Sequence, residues 1–278
     1  MDGLRVVKEA RVKTPFGSPS DKITIGEIDG CLIAFLPRHG KGHRVLPAEI
    51  NVRANIYALK SLGVERLIGV GACGSLKEEL APKDLVLPDQ LVDKTKGRVG
   101  TFFGDGIVAH VQFDQPFCPN VSEVIVKAAD AARLGLHRGG VSVCMEGPAF
   151  STKAESLDHR RLGYAIVGMT AVPEAKLARE AEICYASLAF VTDYDCWKEG
   201  EEAVTVEKIL ENLKEGSSRA QNVLRRALPL LARGAGGVSP CSCASALRYA
   251  VVTDPKHMKK QTFRKLKLLI GKYFSGNR

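Results

Sequence analysis

The sequence has no uninterrupted apolar run approaching the roughly 20 residues a bilayer crossing requires, which excludes a membrane-spanning helix. Its opening residues, MDGLRVVKEARVK, alternate charge with small apolar runs and hold no signal-peptide core, so a cytoplasmic location is expected. Internal repeats are absent, and the only linker-like segment is 233–240. Acidic residues are in deficit, 31 against 40 basic ones, for a formal net charge of +9. Hydrophobic residues at 45% and charged residues at 26% are otherwise ordinary for a soluble domain able to bury a sizeable core.

The charge excess is local. Residues 254–278 carry eight Lys and Arg against one Asp, and Phe263, Leu266, Leu269, Ile270 and Tyr273 recur there at helical spacing. A basic amphipathic tail helix follows, distinct from a main domain over 1–253, with its apolar side docked and its basic side solvated. Binding of nucleic acid or a membrane surface by the tail is the minority reading.

Eight cysteines are present, most of them in apolar strand-like runs where a buried thiol is the default. Cys241-Ser242-Cys243 stands apart, after ARGAGGVSP, as a free thiol pair or half a metal site. No second Cys/His pair has zinc-finger spacing, which argues against zinc.

Strand and helix patterns alternate along the chain. Strands are predicted over 64–70, 85–93, 106–113, 141–150, 164–170 and 184–194. Helices are predicted over 122–136, opened by Ser122; after a Thr152/Glu155 capping box; over 173–182, with Pro173 in its first turn; and from a Thr205 cap to about Arg233. This order implies an α/β fold, one domain with a central sheet flanked by helices. Five loop-bearing strand ends should then converge: PRHGKGH, GVGACGS, EGPAFST, GMTAVPE and TDYDCW.

Gly69-x-Gly71-x-x-Gly74 has the letters of a dinucleotide-binding loop, but Pro82 leaves no room for the long helix that loop requires. A tight turn of small residues whose amides close on an anion fits better. Arg38, His39, Lys41 and His43 gather cations among glycines, as an anion site or a solvated basic loop; Gly40 and Gly42 argue against a helix holding both histidines on zinc. Thr170, before a helix start, is placed to meet an anion or to cap the helix. Phe150, at the end of EGPAF, is a core residue or a stacking platform. In VTDYDCW, beside the only Trp, strand alternation sets Asp193 and Asp195 on one side and Tyr194 on the other.

Together these segments resemble the methylthioadenosine phosphorylases of the trimeric purine nucleoside phosphorylase superfamily. The likeness is carried by TPFGSPSD (14–21), PRHGKGH (37–43), ANIYALKSLGV (54–64), ACGSL (72–76), QPFCP (115–119), EGPAFSTKAES (146–156), GMTAVPE (168–174) and ICYASLAFVTDYDCWKEGEEAVTVEKIL (183–210), in family order. The resemblance implies reversible phosphorolysis of methylthioadenosine by a homotrimer, with purine nucleoside and phosphate as partners and no metal or organic cofactor. It implies that Arg38, His39, the amides of Gly71 and Ala72, and the Thr170 hydroxyl hold phosphate. Met169 would pack on ribose, Phe150 on the purine, and Tyr194 within the substrate site. Ser151, Val206 and Ile209 would set base and 5′-group selectivity, and His110 would reach a neighbouring subunit's pocket. Asp193 would donate to purine N7 and Asp195 accept from the 6-amino group. Thermophilic archaeal relatives carry a Cys-x-Cys tail, so Cys241–Cys243 and Cys118–Cys184 are candidate disulfides by the same resemblance.

The chain departs from the family in three places. Upstream of Thr14 the family has a further strand and a Gly-Gly-(Ser/Thr)-Gly loop that contacts phosphate, and neither is present here. Either the chain starts downstream of its natural start or its phosphate site is incomplete. Ala149 stands where Arg is usual, and Gly71 where Thr is common. A broader purine nucleoside phosphorylase, a nucleic-acid-binding protein and a non-catalytic trimer partner are the alternative readings.

Overall fold

The run CYASLAFVTDY leaves almost no polar position until its end, so it belongs where both faces are covered. In the computed structural model, which describes residues 3–198, 206–234 and 241–274 (206–210 as backbone only), this run is the strand Cys184–Tyr194 near the centre of a sheet. The strands are β1 Arg5–Ala10, β2 Ile23–Ile28, β3 Cys31–Phe35, β4 Arg66–Ser75, β5 Leu85–Leu87, β6 Gln90–Lys94, β7 Leu136–Arg138, β8 Val141–Met145, β9 Ile166–Gly168 and β10 Cys184–Tyr194. The α-helices are α1 Val52–Ser61, α2 Pro119–Ala131, α3 Lys153–Arg161, α4 Ala171–Glu180, α5 Val206–Ala232 and α6 Lys260–Ile270.

Among the described residues, seven strands form the main sheet in the order β6-β8-β9-β4-β10-β5-β7, while β1, β2 and β3 form a separate antiparallel sheet. The main sheet is mixed: β10 runs parallel to β4 and antiparallel to β5, and β9 runs antiparallel to β4. Helices α2 and α5 cover one side, with Val124, Ile125, Val223 and Ala227 packed against Leu85, Ala186 and Leu188. On the other side Ala54 and Ile56 of α1, Leu177 and Ala178 of α4, and Leu266, Leu269 and Ile270 of α6 share one core with Phe102, Phe103 and Ile107. Burying each large apolar side chain stabilises by about 1.5–3 kcal/mol, so α6 docks by its apolar side as its spacing predicts.

Several elements differ from the sequence pattern, the first being β1, a strand upstream of Thr14 where none is expected. Helix α2 starts at Pro119 behind an extended Cys118, because proline suits the first helical position; Ser122 lies inside the helix. Residues 106–113 form no strand and make only isolated bridges, Gly104–Ile107 and Ala109–Val251, for want of a strand alongside. After β4 the chain turns into β5 with no long helix, in keeping with the rejected dinucleotide loop.

β4 pairs with β10 along its length, but its other edge meets β9 only at Gly74 and Ser75. Among the described residues no strand pairs with the remaining edge. A cavity of about 1290 Å³ runs along it, from Val64 and Arg66 to Arg38, Thr170 and Asp193.

Candidate active site

At the functional end of this cavity all five expected segments meet, contributing Arg38, His39, Gly71–Gly74, Phe150, Ser151, Met169, Thr170, Asp193 and Asp195. They do not meet at one edge of a parallel sheet. Because β9 opposes β4, residues 168–170 run back past the β4 turn: a Cβ on Gly168 would lie 3.9 Å from the Ala72 carbonyl, and one on Gly71 would lie 3.5 Å from Thr170 Oγ1 and 3.9 Å from Arg38 Nη1. Gly71, Thr170 and Arg38 thus face one small space.

The acid pair is built by a bulge. The β10–β4 register shifts between Val191 and Asp193, which bends the strand and re-aims the side chains after Thr192. The Thr192 hydroxyl donates to Asp193 Oδ2 at 2.6 Å, and its carbonyl accepts from Asn212 Nδ2 of α5 at 2.8 Å. A Cβ on Gly74 would stand 3.4 Å from Asp193 Oδ1 and 3.3 Å from Asp195 Cβ, so this glycine gives both acids room. Burial raises the Asp193 carboxyl above the usual aspartate range, Thr192 opposes the rise, and Asp195 adds to it. Asp195 is buried, and its Oδ2 has no hydrogen-bond partner among the described residues. An acceptor left so is costly, at roughly 1–3 kcal/mol, unless a donor arrives.

Tyr194 points away from the cavity, as alternation requires: its hydroxyl donates to the Glu78 carbonyl at 3.0 Å and its ring meets Trp197 edge-on. It therefore stands outside the site where the resemblance puts it. Trp197 anchors the segment by donating from Nε1 to the Ser75 carbonyl at 2.8 Å.

The cations of the 37–43 loop are less free than their sequence suggests. Arg38 spends its fork on Glu174, with Nε at 3.0 Å and Nη2 at 2.7 Å, and donates from Nη1 to the Val70 carbonyl. Tyr185 also donates to Glu174, at 2.8 Å. Glu174 and Tyr185 are site-shaping residues that no local pattern marks; Gly69 leaves space where any Cβ would collide with both. His39 shares Nδ1 with the Val45 carbonyl at 2.9 Å and stacks on His43 with centroids 4.3 Å apart. Burial chiefly lowers its pKa, favouring a neutral ring. Thr170 is the N-terminal cap residue of α4 by position, yet its side chain makes no capping bond, so the hydroxyl stays available.

Phe150 lies at the cavity mouth, 73% exposed, and is not a core residue. Ser151 precedes Thr152, whose reciprocal capping box with Glu155 starts α3. Arg98, also unmarked by sequence, donates to the Met169 carbonyl at 2.7 Å and the Val172 carbonyl at 2.9 Å, and also to the Glu146 carbonyl. It clamps the ends of β8 and β9 to each other. His110 is exposed and is not in the lining of this chain's own cavity; its amide donates to the Ala250 carbonyl. The side chains of Val206 and Ile209, like Thr205, lie outside the described residues.

All eight cysteines are free thiols, so neither expected bridge forms in this structure. The four involved nevertheless gather at one place, and the contact of Cys184 with Cys241, at 3.4 Å, crosses the expected pairing.

A profile of the Phosphorylase superfamily matches residues 2–229. The S-methyl-5′-thioadenosine phosphorylase of Geobacter sulfurreducens is 50% identical over 274 residues, covering 98% of this chain and 94% of its own. That of Hyperthermus butylicus is 48% identical over 90% of each chain. A crystal structure of methylthioadenosine phosphorylase from an antarctic soil metagenomic library superposes with a TM-score of 0.91 at 46% identity, covering 97% of this chain and 94% of that one. The Schistosoma mansoni methylthioadenosine phosphorylase in complex with tubercidin gives 0.78 at 39%, covering 82% and 86%.

Proposed function

The chain belongs to the phosphorylase superfamily, and from that premise we infer that it cleaves S-methyl-5′-thioadenosine with phosphate, giving adenine and S-methyl-5-thioribose 1-phosphate. The observation that carries the substrate choice is the buried, unpartnered Asp195 Oδ2 beside a carboxyl held above its ordinary pKa. One group accepts a proton-bearing donor and the other delivers a proton. A 6-aminopurine offers both partners, its exocyclic amine to Asp195 and N7 to Asp193.

A phosphate oxygen attacks C1′ as the C1′–N9 bond breaks, and the electron pair of that bond moves into the purine. Positive charge on the ribose is met by phosphate; negative charge on the departing base is met by the proton of Asp193 at N7. Burial favours the protonated carboxyl needed for this step. Phosphate lies against the amides of Gly71 and Ala72, the Thr170 hydroxyl and His39. Arg38, its fork held by Glu174, supplies charge from behind. Met169 borders the ribose, Phe150 covers the purine, and Ser151 with Val206 and Ile209 forms the 5′ and base walls. The enzyme works as a cytoplasmic homotrimer, in which His110 of one subunit completes the 5′-pocket of the next.

Asp193→Asn should lower kcat/KM for methylthioadenosine by ~10–100-fold, the size of a lost charge-assisted hydrogen bond, while shifting relative preference towards inosine. Asp195→Asn should do the same by presenting a donor to the 6-amino group. Measuring kcat/KM for methylthioadenosine, adenosine and inosine in all three proteins checks this. Unchanged adenine and hypoxanthine nucleoside rates in both variants would remove the assignment.

A further inference from the structure

Far from the acid pair, at the opposite end of β10, Cys118, Cys184, Cys241 and Cys243 bring their sulfurs within 4.8 Å of one another. They come from three distant parts of the chain: Cys118 caps α2, Cys184 opens β10, and Cys241 and Cys243 flank the first residue of a 3₁₀ turn at Ser242–Ser245. Cys118 and Cys243 are buried, and Cys184 and Cys241 are partly covered.

The cluster is held by the backbone. The Cys118 amide donates to the Tyr185 carbonyl at 2.6 Å, and the Cys184 amide to the Glu65 carbonyl at 2.9 Å. Beside it, Glu182 accepts from the Leu247 amide at 2.9 Å and Tyr273 Oη at 2.5 Å, and pairs with Lys272, whose Nζ also donates to the Ala244 carbonyl at 3.0 Å. The loop bearing Cys241 and Cys243 is thereby fixed against the sheet independently of any bond between the sulfurs.

We propose that these four cysteines form a structural metal site that binds one zinc ion through four thiolates and locks residues 241–274 onto the sheet. A regular tetrahedron with Zn–S bonds of about 2.3 Å has sulfurs about 3.8 Å apart, so sulfurs within 4.8 Å need only a small inward closure. Every one of the four sulfurs lies within 4.8 Å of the other three, and the 3.4 Å contact of Cys184 with Cys241 matches neither expected disulfide. A closed set of four soft thiolates suits zinc and leaves no open position for chemistry.

Binding exchanges four S–H protons for one Zn²⁺, so the thiols release four protons and the centre carries a net charge of −2. Charged groups of both signs lie near it, the Glu182 carboxylate among them. Cys118 stands at the N-terminal end of α2, where the helix dipole favours a thiolate. The Arg179 guanidinium lies within electrostatic reach of Cys243, and the Lys60 ammonium within reach of Cys184. The spacing of the ligands hides the site from sequence reading, because only Cys241 and Cys243 are near neighbours.

The test uses the full chain, produced with zinc in the medium and purified anaerobically with reductant. Elemental analysis should find about one zinc per chain, and cobalt substitution should give the sulfur-to-metal charge-transfer and ligand-field bands of a tetrahedral tetrathiolate. Cys243→Ser and Cys241→Ser should each lose the metal and the bands and lower the Tm, while the kcat of any soluble variant stays near the parent's. Should the variants fail to fold, the zinc content and cobalt spectrum of the parent chain still decide. A parent chain that stays metal-free in excess zinc with four titratable thiols would overturn the proposal, as would peptide mapping that finds two disulfides in the anaerobically purified protein.

Discussion

Asp193 and Asp195 differ by two positions and by their surroundings. Asp193 receives the Thr192 hydroxyl, while Asp195 has a buried oxygen left without a donor. Another buried acid, Glu180, is remote from the chemistry. It accepts from the Thr101 hydroxyl and the Phe102 amide, both at 2.7 Å, and burial pushes its carboxyl up to about 7. Its ordinary value is 4.5, so the folded chain binds this proton more tightly than the unfolded one. Its contribution to stability is fully present below 4.5 and is lost as pH rises through about 7, to a total of ~3 kcal/mol. Glu180→Gln keeps one acceptor for the Phe102 amide and one donor for Thr101, without the charge. Urea midpoints of the parent should fall more between pH 4.5 and 8 than those of Glu180→Gln; parallel profiles would assign the pH dependence to another group.

At the scale of elements, α3 connects a local cap to the site. Thr152 accepts from the Glu155 amide, and Glu155 accepts back from Thr152, immediately after Phe150 and Ser151. Thr152→Ala should cost about 1 kcal/mol of stability and loosen the approach to the helix, raising KM for the nucleoside more than it lowers kcat. Thermal unfolding with steady-state kinetics reads both; a Tm loss with unchanged KM would confine the cap to stability. The capping box was legible because its four residues are adjacent. So was β10, whose eleven residues, seven of them buried, leave little choice of place. The strand expected at 106–113 fails because alternation marks a side for each residue but cannot supply a neighbouring strand. The site divides in the same way. Asp193, Asp195, His39 and Thr170 were legible from polar residues at strand ends, whereas Glu174, Tyr185 and Arg98 act across long separations that no local signal encodes.

For the whole molecule, the charge excess proves less informative than the apolar surface. Helix α6 buries Leu266, Leu269 and Ile270 in the main core, and its Thr262 hydroxyl donates to the Asp105 carbonyl, so the tail is part of the packed structure. Next to it the Val252 amide donates to the Val108 carbonyl, placing Val108, Tyr249 and Val252 on one ribbon with exposures of 44%, 89% and 61%. His110 lies on the same ribbon. Three large apolar groups grouped on a surface favour contact with another subunit, and burying them there keeps water from a pocket that His110 would enter. If the chain assembles as the proposed trimer, light scattering after size exclusion should give three chains per particle for the parent protein. Tyr249→Arg combined with Val252→Glu should yield single chains with unchanged circular dichroism and a kcat/KM for methylthioadenosine at least tenfold lower. His110→Ala should keep the three-chain mass and lower kcat/KM through KM. A parent protein that is monomeric and fully active would separate catalysis from assembly and leave His110 with no substrate to reach.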